Sequence, residues 1–183
     1  MPEAAPQQFL IDIKSIVDEL ADTVEIDADL ELAPLVLGLE SFSPAGPAHV
    51  EATVTYTGAG QVIVHGRVVV DLNATCSRCL KDFVFRATGD VEGFYVRHGA
   101  DKEIPEEQEF EYIDDRSIDI LPAIRAALAL DLPFAPLHDP ECKGICPRCG
   151  VDFNESTCDC EPDVSDSPFA ALKDLVDDAD GDA

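Results

Sequence analysis

Three runs between residues 50 and 96 alternate apolar and polar side chains, and this period dictates β-structure for the middle of the chain. VEATVTY, a turn containing Gly58 and Gly60, and QVIVHGRVVVDLNAT predict a hairpin of long strands; after an interruption by CSRC, DFVFRATGDVEGFYVR continues the pattern. A period of two sends successive side chains to opposite faces, so each strand buries one face and wets the other. The β-branched residues suit such a surface, and the natural arrangement is an antiparallel meander. Apolar residues make up 46% of the 183, enough for a core and against global disorder.

The flanks read less regularly. Phe9, Ile11 and Ile13 alternate within a short strand, Gln8 to Ile13; Ser15 is the expected cap of a helix SIVDEL, and EIDADLEL is a further alternating run. Ser43, Pro44, Gly46 and Pro47 predict a loop. EFEYI, at the end of an acidic loop, predicts an edge strand. A helix IDILPAIRAALAL follows, capped by Ser117 or Asp119, with Pro122 in its first turn. Its apolar residues run nearly all round, which predicts a buried helix over the sheet. LPFAPLH then leaves as a proline-stiffened strap. Near the end, SPFAALKDLVDD predicts a short amphipathic helix with Asp166 or Ser167 as cap and Pro168 at its first position. The expected fold is α+β: an antiparallel sheet able to curl towards a barrel, covered by one main helix. The expected division is a core at 1–141, a zinc ribbon-like cysteine module at 142–160 and an acidic tail at 161–183.

The strap leads into CKGICPRCGVDFNESTCDC, five of the chain's seven cysteines in nineteen residues. Clustered thiols in a reducing compartment are metal ligands or redox groups more often than disulfides, and soft thiolates select zinc or an iron–sulfur cluster. Cys146-Pro-Arg-Cys149-Gly150 is a knuckle signal: two thiolates on a tight turn share one metal, and glycine permits the positive φ that aims N–H groups at sulfur. Cys158 and Cys160, one residue apart on an extended chain, point the same way. These four make an all-thiolate tetrahedral zinc site; an iron–sulfur cluster is the alternative. Cys76 and Cys79 form a second knuckle at a hairpin tip. With His138 and Cys142 they would close a second tetrahedron, giving one zinc ion or two. The competing reading of Cys76 and Cys79 is an exchangeable redox dithiol, although that chemistry favours CxxC opening a helix in a βαβ unit. A lone histidine is more often a surface residue than a ligand; what raises His138 is its position four residues before Cys142. His49, His65 and His98 have no such neighbours.

The formal net charge is −26. Residues 18–40 hold eight acids and no Lys or Arg, and residues 101–115 hold eight acids and one Lys. Such a chain repels free nucleic acid, because phosphate neutralisation supplies most of that affinity, so a basic protein partner fits better. Arg78, Lys81, Arg86, Lys143 and Arg148 lie in or beside the cysteine motifs. They either offset the charge of zinc–thiolate sites or form a small RNA-contacting patch on a zinc ribbon. Closed four-ligand sites lack the open position of a catalytic zinc, and no P-loop, dinucleotide fingerprint or nucleophile elbow occurs, so no catalytic residues are expected. The opening MPEAAPQQFLIDIKS lacks the features of a secretory leader and no run reaches the length of a membrane span, so a cytoplasmic location is expected.

With these motifs together, the chain resembles the YceD family of bacterial and plastid proteins. The matching residues are CSRCLKDF after a strand, LPFAPLHDPEC at the strap, KGICPRCGVDFN with its CDC ending, and SPFAALKDL. The run from Leu132 to Cys160 is the specific part; residues 1–59 and the extreme C-terminus match poorly. The resemblance implies a non-enzymatic factor in accumulation of 23S ribosomal RNA and in large-subunit assembly. Its partner would be a basic large-subunit ribosomal protein or a pre-large-subunit particle, with ribosomal RNA contacted indirectly and no membrane. Some relatives have Cys at the position of His138, which is compatible with a ligand role.

Overall fold

The alternation from Gln61 onward becomes two fifteen-residue strands, β6 (Gln61–Thr75) and β7 (Asp82–Val96), paired antiparallel along their whole length. They form the spine of the fold in a computed structural model that describes residues 7–18, 22–105 and 107–160. On its other side β6 pairs with β5 (Ala48–Gly58), and beyond the end of β5 with β4 (Glu40–Pro44). Strand β2 (Thr23–Leu30) extends the sheet from β5, β3 (Leu35–Leu37) forms a hairpin with β4, and β8 (Glu111–Tyr112) pairs parallel with the end of β7. A separate two-stranded sheet joins β1 (Leu10–Asp12) to β9 (Ser117–Asp119). The sheet is mostly antiparallel and does not close: β2 and β8 lie at opposite ends of the order and do not pair, so no barrel forms.

One face carries the core. Val62, Val64, Val68, Val70 and Leu72 of β6 are buried, as are Val50 and Val54 of β5 and Ala87 and Val91 of β7. Helix α2 (Leu121–Asp131) packs on β7 through Leu121, Ile124, Ala127 and Leu128. Gly89 permits this approach, because a Cβ there would lie 2.6 Å from the Ala127 carbonyl carbon.

Several boundaries differ from the sequence reading. Helix α1 spans Lys14–Val17, so Ser15 lies inside it; Asp12 Oδ1 takes the Lys14 N–H at 2.8 Å. Residues 19 and 20 of the predicted SIVDEL helix lie outside the described residues, as does the SPFAALKDLVDD helix. Ser43 and Pro44 belong to a strand, because β4 meets β6 only at its end, where a missing proline N–H costs little. Helix α2 starts at Leu121 and not at Ile118, since residues 117–119 are claimed by pairing with β1. Asp119 accepts both the Leu121 N–H at 3.0 Å and the Phe9 N–H at 2.9 Å. The helix is one-sided rather than buried all round: Leu130 is 90% exposed. Among the described residues no helix is long and apolar enough to cross a membrane.

Candidate metal centres

The turn between β6 and β7 is built as a knuckle. Thr75 Oγ1 donates to Asp82 Oδ1 at 2.8 Å across the hairpin neck, the Cys76 N–H reaches the Lys81 carbonyl at 2.8 Å, and the Leu80 N–H returns to the Cys76 carbonyl at 2.9 Å. The same pattern recurs in the cysteine module, where Cys146 N–H meets the Val151 carbonyl at 2.8 Å and Gly150 N–H meets the Cys146 carbonyl at 2.9 Å. In both turns the residue after the second cysteine is left-handed: Leu80 at φ 60° and Gly150 at φ 75°. Two CxxC sequences therefore fold to one local geometry, in which amide groups converge on sulfur.

The strap joins the first knuckle to the module. Ser77 N–H donates to the Pro136 carbonyl at 2.8 Å, and Arg78 Nη1 donates to the carbonyls of Cys142 at 2.7 Å and Pro140 at 3.3 Å. Residues 132–142 are thereby folded back over the hairpin tip, which brings His138 and Cys142 to Cys76 and Cys79. Cys76 Sγ lies 3.8 Å from Cys142 Sγ, and Cys79 Sγ lies 3.4 Å from His138 Nδ1. All three thiols are buried, with Phe83, Leu137 and Ile145 packed around them, whereas His138 is exposed. Cys146, Cys149, Cys158 and Cys160 form the second group; Cys146 is buried and Cys149 and Cys160 are exposed. In each group the donor atoms lie within 4.8 Å of one another.

The donor sets fit a tetrahedral thiophilic cation. With Zn–S near 2.3 Å and Zn–N near 2.0 Å, the edges of a tetrahedron are about 3.8 Å for two sulfurs and about 3.5 Å for sulfur and nitrogen. The separations at the hairpin tip match both. The local field divides the thiols in each group. Burial works to raise Cys76, but hydrogen bonds from His138 and from backbone N–H groups outweigh it and bring the thiol down to about 5. Burial, joined by the neighbouring Cys76 and Cys142, raises Cys79. The N–H groups of Cys149 and Arg148 bring Cys146 down to about 6, while Cys149 and Cys158 push Cys160 up to about 12. The first thiolate in each group raises the cost of the next, so a full set of thiolates calls for a cation among them.

Asn154 is a site residue that sequence reasoning passed over. Its Oδ1 accepts the Lys143 N–H at 2.8 Å, which orients the amide so that Nδ2 donates to Asp152 at 2.7 Å and to Cys142 Sγ at 3.5 Å. Nothing local marks it as a site residue, because the thiol it reaches is twelve residues away. Lys81 likewise leaves the first knuckle to pair with Asp152 at 2.8 Å and Glu155 at 2.7 Å, locking the two groups together. Of the five cations weighed as an RNA patch, Arg78 and Lys81 are thus engaged inside the protein, and Arg86 pairs with Asp71 at 2.9 Å.

Comparison with known proteins finds a family match that spans these motifs. Residues 64–176 match the profile of the family described as "Large ribosomal RNA subunit accumulation protein YceD". An uncharacterized protein of Mycobacterium tuberculosis is 33% identical over 135 residues, covering 73% of this chain and 62% of that protein; the match therefore spans about three-fifths of the relative's length. An uncharacterized protein of Mycobacterium leprae is 31% identical over 97 residues, 50% of this chain and 43% of the relative. A chloroplastic protein of Arabidopsis thaliana, named large ribosomal RNA subunit accumulation protein YCED homolog 1, is 33% identical over 60 residues, 33% of this chain and 19% of that protein. Among solved structures there is no significant match. Both knuckles, the strap and the four-donor groups fall within the matched residues, and the chain belongs to the YceD family.

Proposed function

We propose that the chain is a non-enzymatic zinc-binding factor that promotes accumulation of 23S ribosomal RNA and assembly of the large ribosomal subunit. It would act by holding a basic large-subunit ribosomal protein, or a precursor particle that presents one. The observation that carries this reading is the pair of four-donor groups that tie strap, hairpin tip and module together. Cys76, Cys79, His138 and Cys142 would hold one zinc ion, and Cys146, Cys149, Cys158 and Cys160 the other. Filled by four protein ligands, each serves as a structural clamp with no position left for a reacting water. The acidic surface supports the choice of partner. On the outer sheet face, the cross-strand rows Asp27–Glu51–Arg67–Asp90 and Glu25–Thr53–His65–Glu92 carry mostly carboxylates. Such a field steers and retains cations.

A redox role for Cys76 and Cys79 has less support, since at 0% and 6% exposure neither thiol is open to exchange. Native mass spectrometry of the intact chain, purified without reductant or added metal, tests the clamp. Two zinc ions are expected; one ion, with Cys76 and Cys79 free or joined, would return the redox reading. Depletion of the protein in cells should lower mature 23S RNA and accumulate large-subunit precursors. Unchanged precursors would overturn the assembly role.

A further inference from the structure

The outer edge of β7 is only partly covered. Strand β8 pairs with it at Tyr95 and Val96 alone, and Asp131 Oδ2 caps the Thr88 N–H at 2.9 Å. The Val96 carbonyl accepts the Ile113 N–H, so with Thr88 it shows that even-numbered residues of β7 turn their peptide groups away from β6. Those of Asp90 and Glu92 consequently face a side on which no strand pairs among the described residues, whereas the Phe94 carbonyl lies where the Tyr95–Glu111 pairing of β8 begins. Before β8 the chain diverges from β7 at Gln108 and Glu109 and leaves two adjoining hollows, of about 550 and about 600 Å³. Both are bounded by residues 92–94 and by Gln108 and Glu109. One opens on the outer sheet face beside Ile63 and His65; the other opens on the opposite face beside Ala123 and Ala126 of α2.

A free strand edge with a hollow on each side is the shape that an added strand fills. Its backbone would bond to the ladder while its side chains alternate into the two spaces. The rim selects the occupant. Glu92, Glu109 and Glu111 have no ion-pair partner among the described residues. The charges of Asp119 and Glu111 add to burial in raising the Tyr95 hydroxyl on the inner side. The chain's own acidic residues 161–183, with eight acids and one Lys, would be repelled.

We propose that the β7 edge from Asp90 to the start of the β8 pairing at Phe94 is a docking groove for an extended, Lys/Arg-rich protein segment, captured as an added strand between the sheet and residues 108 and 109. The inference rests on the proposed function only in taking the natural partner to be a basic protein; the groove itself is defined by the edge, the hollows and the carboxylates.

The test uses the full chain and a fluorescein-labelled, capped peptide that alternates valine and lysine. Wild-type protein binds it, and methylation of alternate peptide nitrogens, which keeps the charge but breaks the ladder, abolishes binding. Glu92→Lys with Glu109→Lys weakens binding by about tenfold or more, whereas Asp22→Lys with Glu31→Lys, an equal charge change at the two ends of distant β2, leaves it within about twofold. Ala126→Trp, which fills the α2 side without altering charge, matches the first pair and guards against misfolding of that variant. Equal losses for both charge variants, or undiminished binding of the N-methylated peptide, would reduce the effect to bulk electrostatics and overturn the groove. Cosedimentation with large-subunit precursors separates the two ideas. If the groove variants cosediment like wild type, the groove falls and the assembly role stands. If wild type fails to cosediment, the assembly role falls and peptide binding still decides the groove.

Discussion

Leu80 stands in the first knuckle where Gly150 stands in the second, at φ 60° against 75°. A left-handed conformation costs an L-residue about 1–2 kcal/mol, and Leu80 is 63% exposed, so little burial offsets it. Glycine removes that strain but adds unfolded-state entropy of roughly 0.5–1 kcal/mol. Leu80→Gly should therefore stabilise the zinc-loaded protein by up to about 1 kcal/mol, seen as a raised urea midpoint; a lowered midpoint would show that the leucine side chain contributes packing. His49 offers a second test at this scale. Its hydrogen bond to Asp29 and the nearby charges of Asp27 and Glu51, opposed by slight desolvation, raise it above 6.5. A raised pKa means that the protonated histidine is favoured by folding. That stability is complete below pH 6.5 and disappears as pH rises through the folded pKa. Between about pH 6 and pH 8.5 the wild type should lose more stability than His49→Gln, measured by urea unfolding. Parallel curves would remove His49 from the linkage. The His49 cluster was not legible beforehand, because its three carboxylates come from two strands whose register appears only on pairing.

At the level of elements, β6 and β7 could be read from alternation alone because each buries one face along its whole length. EFEYI, read as an edge strand, supplies β8, but the chain from Ser117 to Ile120 was misread for the opposite reason. Ile118 and Ile120 continue the apolar run of the helix, yet β1 takes Ser117–Asp119 as its partner and Tyr95 Oη donates to the Asp119 carbonyl at 3.0 Å, so the helix starts late. Tertiary pairing overrides local propensity there. Gly89 shows what the sheet–helix contact demands. Gly89→Val would suit a strand by propensity, but its Cβ would meet the Ala127 backbone at 2.6 Å and force α2 outward. Overpacking of this kind costs about 2 kcal/mol, so the urea midpoint should fall with m unchanged. A neutral effect would mean that α2 can slide along β7 without loss.

Across the whole molecule, the metal donors are the part of the site that sequence conveys best. CxxC spacing carries its geometry locally, while the grouping of His138 and Cys142 with the distant hairpin tip depends on the strap folding back. The contacts that hold that fold are made by single polar side chains and leave no periodic trace: Arg78 on the Cys142 carbonyl, Asn154 on Cys142 Sγ, Lys81 on Asp152. This division also predicts how the protein comes apart. Residues 132–160 contain no helix and only the isolated bridge Ile145–Asp152, so their order depends on these few contacts and on the ligand groups. The sheet has its own apolar core and does not need them. Stripping metal with a strong chelator at neutral pH should therefore raise amide hydrogen exchange in residues 76–81 and 132–160 while β5, β6 and the middle of β7 keep their protection. Restoring zinc should reverse the change. Loss of protection throughout the sheet would make the metal part of the global folding unit, and no change anywhere would remove it from the architecture altogether.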